Sequence, residues 1–129
     1  MKKLTGLTDV SLLGVRVVLA AIYLFHGVPK ALNWEMAMEK FAAMGFLPFL
    51  GPVVGIIEVI CALLLLIGLF NVEANASLFI IIFVAIVGVQ LPGAQKAGKL
   101  LTSGIERDLL MLVGHMVLMS IGPGAISLQ

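Results

Sequence analysis

The amino-acid sequence predicts an all-α integral membrane protein, a four-helix bundle with a short amphipathic interfacial helix between helices one and two. Composition is the first sign. Of 129 residues, 61% are hydrophobic and 12% charged, with 8 basic and 7 acidic side chains, whereas a water-soluble domain is about 45–50% apolar and about 25% charged. A single core of this size cannot hide so many apolar side chains. The second sign is four charge-poor segments of roughly 18–22 residues, the length that crosses a bilayer. The third is punctuation, because glycine, proline or polar residues separate the segments. Length allows one domain, 1–129. A cytosolic enzyme domain, a disordered tail and a basic nucleic-acid binder are excluded.

Segment one covers 10–31. Met1-Lys2-Lys3 precede it as in a secretory leader, but the stretch is long for such a core, contains Arg16 and lacks a small-residue cleavage site, so it reads as a first membrane helix. Pro29 removes a backbone donor and is expected to free the Phe25 carbonyl and bend the helix near His26 and Lys30. Segment two covers 52–70, with Pro52 suited to a first helical position after Gly51. Gly51 and Gly55 form a small-xxx-small pair for close helix packing. Segment three covers 74–91 and is stopped by Pro92-Gly93. Segment four covers 105–122 and is stopped by Gly122-Pro123-Gly124. Such continuous apolar runs do not suit barrel strands. Cys61 stands alone in an apolar run and reads as a small buried hydrophobe.

Asn71-Val72-Glu73 separate segments two and three so briefly that the two must be antiparallel neighbours. The N-terminus, that turn and the C-terminus then share one face of the membrane, side A, and the longer connections lie on side B. In 32–51, Trp34, Ala37, Met38, Phe41 and Gly45 recur at helical spacing, with Glu35, Glu39 and Lys40 off that stripe. This pattern predicts a helix in the side-B interface with Trp34 at headgroup depth. Lys2 and Lys3 lie on side A, and Lys40, Lys96 and Lys99 on side B, so the flanking charges oppose one another and orientation stays open.

Arg16, Lys30, Glu58, Glu106, Arg107 and Asp108 fall within the predicted spans and sum to zero charge. Each costs about 2.5–3.5 kcal/mol at a helix centre. Such residues face the bundle interior, pair there and mark function. By helical rise, His26 and Glu58 lie roughly 8–9 Å below side B. Lys30 and Gln90 lie close to that face, and Glu106 and Arg107 fall in the first turn of helix four. Tyr23, His26, Lys30, Glu58, Gln90, Glu106 and Arg107 are therefore candidates for one polar cluster, with His115 deeper. Arg16 lies near side A, where Glu73 is its candidate structural partner. Each residue also has a purely structural reading. Lys30 can snorkel, Glu106 can complement a helix dipole, and Arg107 and Asp108 can be solvated. The histidines can be interior hydrogen-bonders, and Glu58 can pair with Lys30 or Arg107.

The order of these features resembles the DoxX family of small four-helix membrane proteins. Arg16 is followed by Tyr23-Leu24-Phe25-His26-Gly27-Val28-Pro29-Lys30, similar to the family's arginine, aromatic-rich stretch and HGxxK. Phe41-Ala42-Ala43-Met44-Gly45-Phe46-Leu47-Pro48 resembles its segment before helix two. Gly55-Ile56-Ile57-Glu58 with Gly68-Leu69 resembles its GxxE and later GL. Gly104-Ile105-Glu106 opens helix four, and Gly122-Pro123-Gly124 with Ser127 closes it.

The resemblance implies a prokaryotic cell-membrane protein and a link to quinone-dependent oxidation. The leading expectation is a quinone-interacting or membrane-anchoring subunit of an oxidoreductase, partnered by that enzyme or by further copies of itself. A quinone needs an apolar slot and a few polar groups at its head. The alternatives are a non-catalytic scaffold or assembly factor and a small-solute carrier. No haem, flavin or iron–sulfur motif is visible. His26 and His115 differ in depth by about 7 Å, which argues against a haem or a metal between them.

Overall fold

The structure is a computed structural model that describes residues 2–98 and 102–128. Lys99 lies outside the described residues. Every regular element among the described residues is helical: α1 (Lys2–Leu32), α2 (Trp34–Ala43), α3 (Leu50–Ile67), α4 (Asn71–Ala85), a π-helical turn (Ile86–Gln90), α5 (Leu91–Lys96) and α6 (Ser103–Ile121). Three runs are long and apolar enough to cross a membrane: Gly6–Leu32, Leu50–Ile67 and Asn71–Lys96. α6 has 19 residues, but Glu106, Arg107 and Asp108 crowd its start.

Local chemistry sets the ends. α1 runs through Pro29, and Asn33 is the joint to α2. Its backbone N–H donates to the Pro29 carbonyl at 2.8 Å, and its Oδ1 caps α2 by accepting from the Met36 N–H at 3.1 Å. α2 closes through Gly45 in the left-handed region (φ 86°), where Phe46 N–H reaches back to the Phe41 carbonyl at 2.9 Å. Thr102 caps α6 by accepting from Ile105 N–H at 3.2 Å.

Several predicted boundaries move: α1 begins at Lys2 rather than at residue 10, α3 at Leu50 rather than at 52 and α6 at Ser103 rather than at 105, and the ends of helices two and three shift for local reasons. Helix two ends at Ile67 rather than at residue 70, because Gly68 takes a left-handed cap (φ 72°) and Leu69 N–H closes on the Leu64 carbonyl at 3.0 Å. The reversal is therefore Gly68-Leu69-Phe70, and Asn71, Val72 and Glu73 form the first turn of α4 instead of a loop. Pro92-Gly93 also does not stop helix three. A proline clashes with the carbonyl four residues back, and here the preceding turn widens so that Leu91 N–H bonds to the Ile86 carbonyl, five residues back. Pro92 then sits at the start of α5, where its missing donor costs nothing.

α1 and α3 form the most extensive contact, α4 packs on α6, and α3 packs on α4. A looser seam joins α6 to α1. The shared core includes Leu19, Tyr23, Ala62, Leu65, Leu78, Ile82, Met111 and Leu118. α2 lies across α3 and α1 with Ala37 buried at Gly51, while Trp34 and Met38 stay exposed.

Glycines set the α1–α3 approach. A Cβ on Gly55 would fall 2.5 Å from the Lys30 Cβ and 2.9 Å from the Ala31 backbone nitrogen, and one on Gly27 would fall 2.9 Å from the Glu58 Cβ. Gly55→Ala is expected to destabilise the protein by about 1–3 kcal/mol through overpacking, despite alanine's better helix propensity. Thermal unfolding in detergent checks this, and an unchanged or raised midpoint would contradict it.

Candidate functional site

The close α1–α3 crossing places Lys30 against Glu58. The Lys30 Nζ donates to Glu58 Oε1 at 2.6 Å. Glu58 is 3% exposed, whereas the Lys30 side chain keeps 24% and its ammonium lies 6.0 Å from the Phe41 ring centre. This pair forms one wall of a cavity of about 370 Å³, which Phe41 and Phe46 help enclose. α1 adds Tyr23 and His26, the π-helical turn adds Gln90, and α6 adds Arg107 and Asp108. Val54, Ile81, Ile82, Ala85 and Met111 supply apolar surface. The volume falls in the range of about 300–1,000 Å³ usual for small-molecule sites.

His26 has no hydrogen-bond partner in protein among the described residues, and its ring stands edge-on to Phe25 at 5.4 Å. Across the cavity, Arg107 Nε donates to Asp108 Oδ1 at 3.1 Å, and Gln90 Nε2 donates to Asp108 Oδ2 at 3.3 Å. The Gln90 amide also lies against Gly104, where a Cβ would come 2.6 Å from its Oε1.

His115 stands behind Tyr23, in a buried polar chain across α1, α6 and α4. The Tyr23 hydroxyl lies 2.7 Å from His115 Nε2, and His115 Nδ1 lies 2.8 Å from Asn75 Oδ1. Asn75 Nδ2 donates to the Asn71 carbonyl at 2.7 Å and to Asn71 Oδ1 at 3.0 Å, while Asn71 Nδ2 donates to the Leu118 carbonyl at 2.7 Å. Backbone carbonyls only accept, so they fix both amides. Asn75 must present its oxygen to His115, which therefore carries its proton on Nδ1 and offers the Nε2 lone pair to the Tyr23 O–H. Among the described residues, no buried side-chain nitrogen or oxygen lacks a partner.

The sequence-predicted residues divide as follows. Tyr23, His26, Lys30, Glu58, Gln90 and Arg107 line the cavity, and His115 is one hydrogen bond behind it. Glu106 is exposed on α6 and does not join them. It lies about 200° around the helix from Asp108. Asp108, expected to be solvated, is 2% exposed and tied to Arg107 and Gln90. Its signal was the shared inward stripe with Met111 and His115, three and seven residues on. Asn71 and Asn75 were also missed. They share a helix face with Leu78 and Ile82, a pattern that is visible only once Asn71 is assigned to α4 rather than to the turn before it.

The expected Arg16–Glu73 pair is not formed. Arg16 is 1% exposed and spends its donors on carbonyl oxygens: Nε on Leu65 at 2.8 Å, Nη2 on Leu66 at 2.8 Å, and Nη1 on Pro123 at 3.1 Å and Ile126 at 2.6 Å. Glu73 is exposed in the first turn of α4. The helix end next to Arg16 supplies acceptors that a distant carboxylate cannot match.

Among the described residues, no three His, Cys, Asp or Glu side chains converge on a point that could hold a metal ion. The site's donors instead suit a neutral or partly anionic ligand with oxygen acceptors.

Comparison with known proteins adds two findings. Residues 11–91 match the family described as DoxX, a stretch that includes Arg16, Tyr23, His26, Lys30, Glu58 and Gln90 and ends before α6. The chain is also similar to an uncharacterized membrane protein of Mycobacterium tuberculosis, 29% identical over 129 residues, covering 92% of this chain and 79% of the relative. No solved structure matches the chain.

Proposed function

This chain belongs to the DoxX family, and from that premise we propose that it is a quinone-binding membrane subunit of an oxidoreductase in a prokaryotic cell membrane. In this reading α1, α3, the α4–α5 run and α6 all span the bilayer as a four-helix bundle, with α2 at the side-B interface over the binding cavity. The observation that carries the reading is the cavity itself: apolar surface with an unpartnered imidazole, His26, beside the buried Lys30–Glu58 pair.

The residues present suit a quinone head. Such a ring offers two carbonyl oxygens, and the cavity holds donors on different elements: His26 and Lys30 on α1, and the Gln90 amide on the π-helical turn. The bound quinone would supply two-electron, two-proton acceptor chemistry. His26 would hydrogen-bond one ring oxygen and hold a proton at an imidazole nitrogen, within reach of that oxygen. Glu58 would keep the Lys30 ammonium aimed into the cavity through Oε1. Phe41 and Phe46 would exclude water from the head.

The test is a titration of the purified full chain with a decyl-substituted benzoquinone, read by fluorescence of Trp34, the only tryptophan. One saturable site is expected, weakened about tenfold in His26→Ala, the loss of one hydrogen bond of about 1.4 kcal/mol. Non-saturable quenching, or equal affinity in the variant, would count against quinone binding in this cavity.

A further inference from the structure

A second hollow of about 640 Å³ lies on the loose α1–α6 seam, away from α2. Gly14, Val18 and Ile22 line it from α1, and Leu110, Gly114 and Val117 from α6. It is open to the outside, since Val18 and Leu110 are 58% and 76% exposed. Glycine makes the hollow. A Cβ on Gly14 would meet nothing within 4 Å, and one on Gly114 would meet Leu19 at 3.3 Å, so the floor lies at Leu19.

Among the described residues its one charged lining residue is Arg107, at the side-B end. The Arg107 side chain is 43% exposed, and only its Nε is engaged, by Asp108. Its terminal nitrogens have no hydrogen-bond partner in protein among the described residues. From Arg107 to Val117 the helix rises about 15 Å, half of a hydrocarbon core of about 30 Å. The hollow is therefore an apolar trough about as long as one leaflet is thick, with a guanidinium at its side-B end.

We propose that this crevice binds one anionic phospholipid of the side-B leaflet, with an acyl chain along Gly14, Val18 and Gly114 and its phosphate on Arg107. Charge complementarity and length select this occupant. A guanidinium fork matches a phosphate bidentately, and an apolar trough about 15 Å long fits one acyl chain better than a helix that crosses both leaflets. The inference does not rest on the quinone reading, and Gly14 is remote from that cavity.

The test is native mass spectrometry of the purified full chain with added dioleoyl phosphatidylglycerol or dioleoyl phosphatidylcholine. The anionic lipid is expected to bind about fivefold more tightly, the preference of roughly one basic side chain near a membrane surface. Arg107→Gln is expected to abolish that preference, weakening the anionic lipid about fivefold more than phosphatidylcholine, whose phosphate also meets the guanidinium but whose headgroup carries no net charge. Gly14→Phe, or Gly14→Leu if the larger ring disturbs folding, is expected to fill the trough and weaken both lipids. Equal binding of the two lipids by the unmodified chain would overturn the proposal, as would unchanged lipid binding in both Gly14 variants. So would a Gly14 variant that splits a dimer without affecting lipid, since a second copy would then be the occupant.

Discussion

Arg16→Met is expected to cost about 4 kcal/mol or more, much of a total stability of about 5–15 kcal/mol. The reason is the end of α3. The last four carbonyls of a helix have no intrahelical partner. Here Leu64 is served by the Gly68 and Leu69 N–H groups, Leu65 and Leu66 by Arg16, and Ile67 by Leu128 N–H at 2.9 Å. The same guanidinium holds the Pro123 and Ile126 carbonyls, so it fastens the C-terminal segment across the helix end. Its charge also complements the negative end of the α3 dipole. Gly68 makes room, since a Cβ there would come within 2.7 Å of Arg16 Nη2. Methionine fills the space but removes the Arg16 donors from the Leu66, Pro123 and Ile126 carbonyls, and leaves Leu65 with only the Gly68 N–H at 3.2 Å. Arg16→Lys is expected to recover only part of the loss, because an ammonium has three donors and no planar fork. Thermal unfolding of the three proteins decides the point. A lysine variant as stable as the unmodified chain would remove the geometric part of this account.

The second large effect concerns Lys30 and Glu58. Breaking a buried ion pair by removing one partner costs about 3–5 kcal/mol, because the remaining charge is stranded. Lys30→Met is expected near the lower bound, about 3 kcal/mol, since it leaves the nearly fully buried Glu58 without its donor. The double variant Lys30→Met/Glu58→Leu is expected to regain most of that stability, as apolar replacements of buried pairs often do. Its value lies in separating two roles. A pair that only knits α1 to α3 can be replaced without loss of ligand binding. A pair that positions a donor in the cavity cannot. The restored double variant is therefore expected to bind the decyl benzoquinone at least about tenfold more weakly, one charge-assisted hydrogen bond's worth. Full retention of affinity would assign the pair to structure alone.

Much of this arrangement is legible in the sequence, because helical rise is fixed. Once the apolar segments are found, His26, Lys30 and Glu58 must lie near one face. What the sequence does not carry is rotation and approach. That Lys30 rather than Arg107 meets Glu58 depends on Gly27 and Gly55 letting two backbones close, and a pair of glycines does not announce its partner. Glu106 and Asp108 are two residues and about 3 Å of rise apart, yet one faces out and the other in. Only the inward stripe through Met111 and His115 separates them. Polarity also misplaced a turn: Asn71-Val72-Glu73 looked like a loop, whereas Gly68 supplies the left-handed residue that ends α3. Asn71 is polar because it belongs to the buried chain behind Tyr23. Pro92 failed as a stop because a π-helical turn absorbed it, and that same turn brings Gln90 to the cavity.

The most direct measurement is the quinone content of the chain purified from its own membrane in mild detergent, by solvent extraction and mass spectrometry. About one quinone per chain is expected at full occupancy of a single cavity, lost in His26→Ala and in the folded Lys30→Met/Glu58→Leu variant. No quinone in the unmodified chain, or equal amounts in all three proteins, would contradict it.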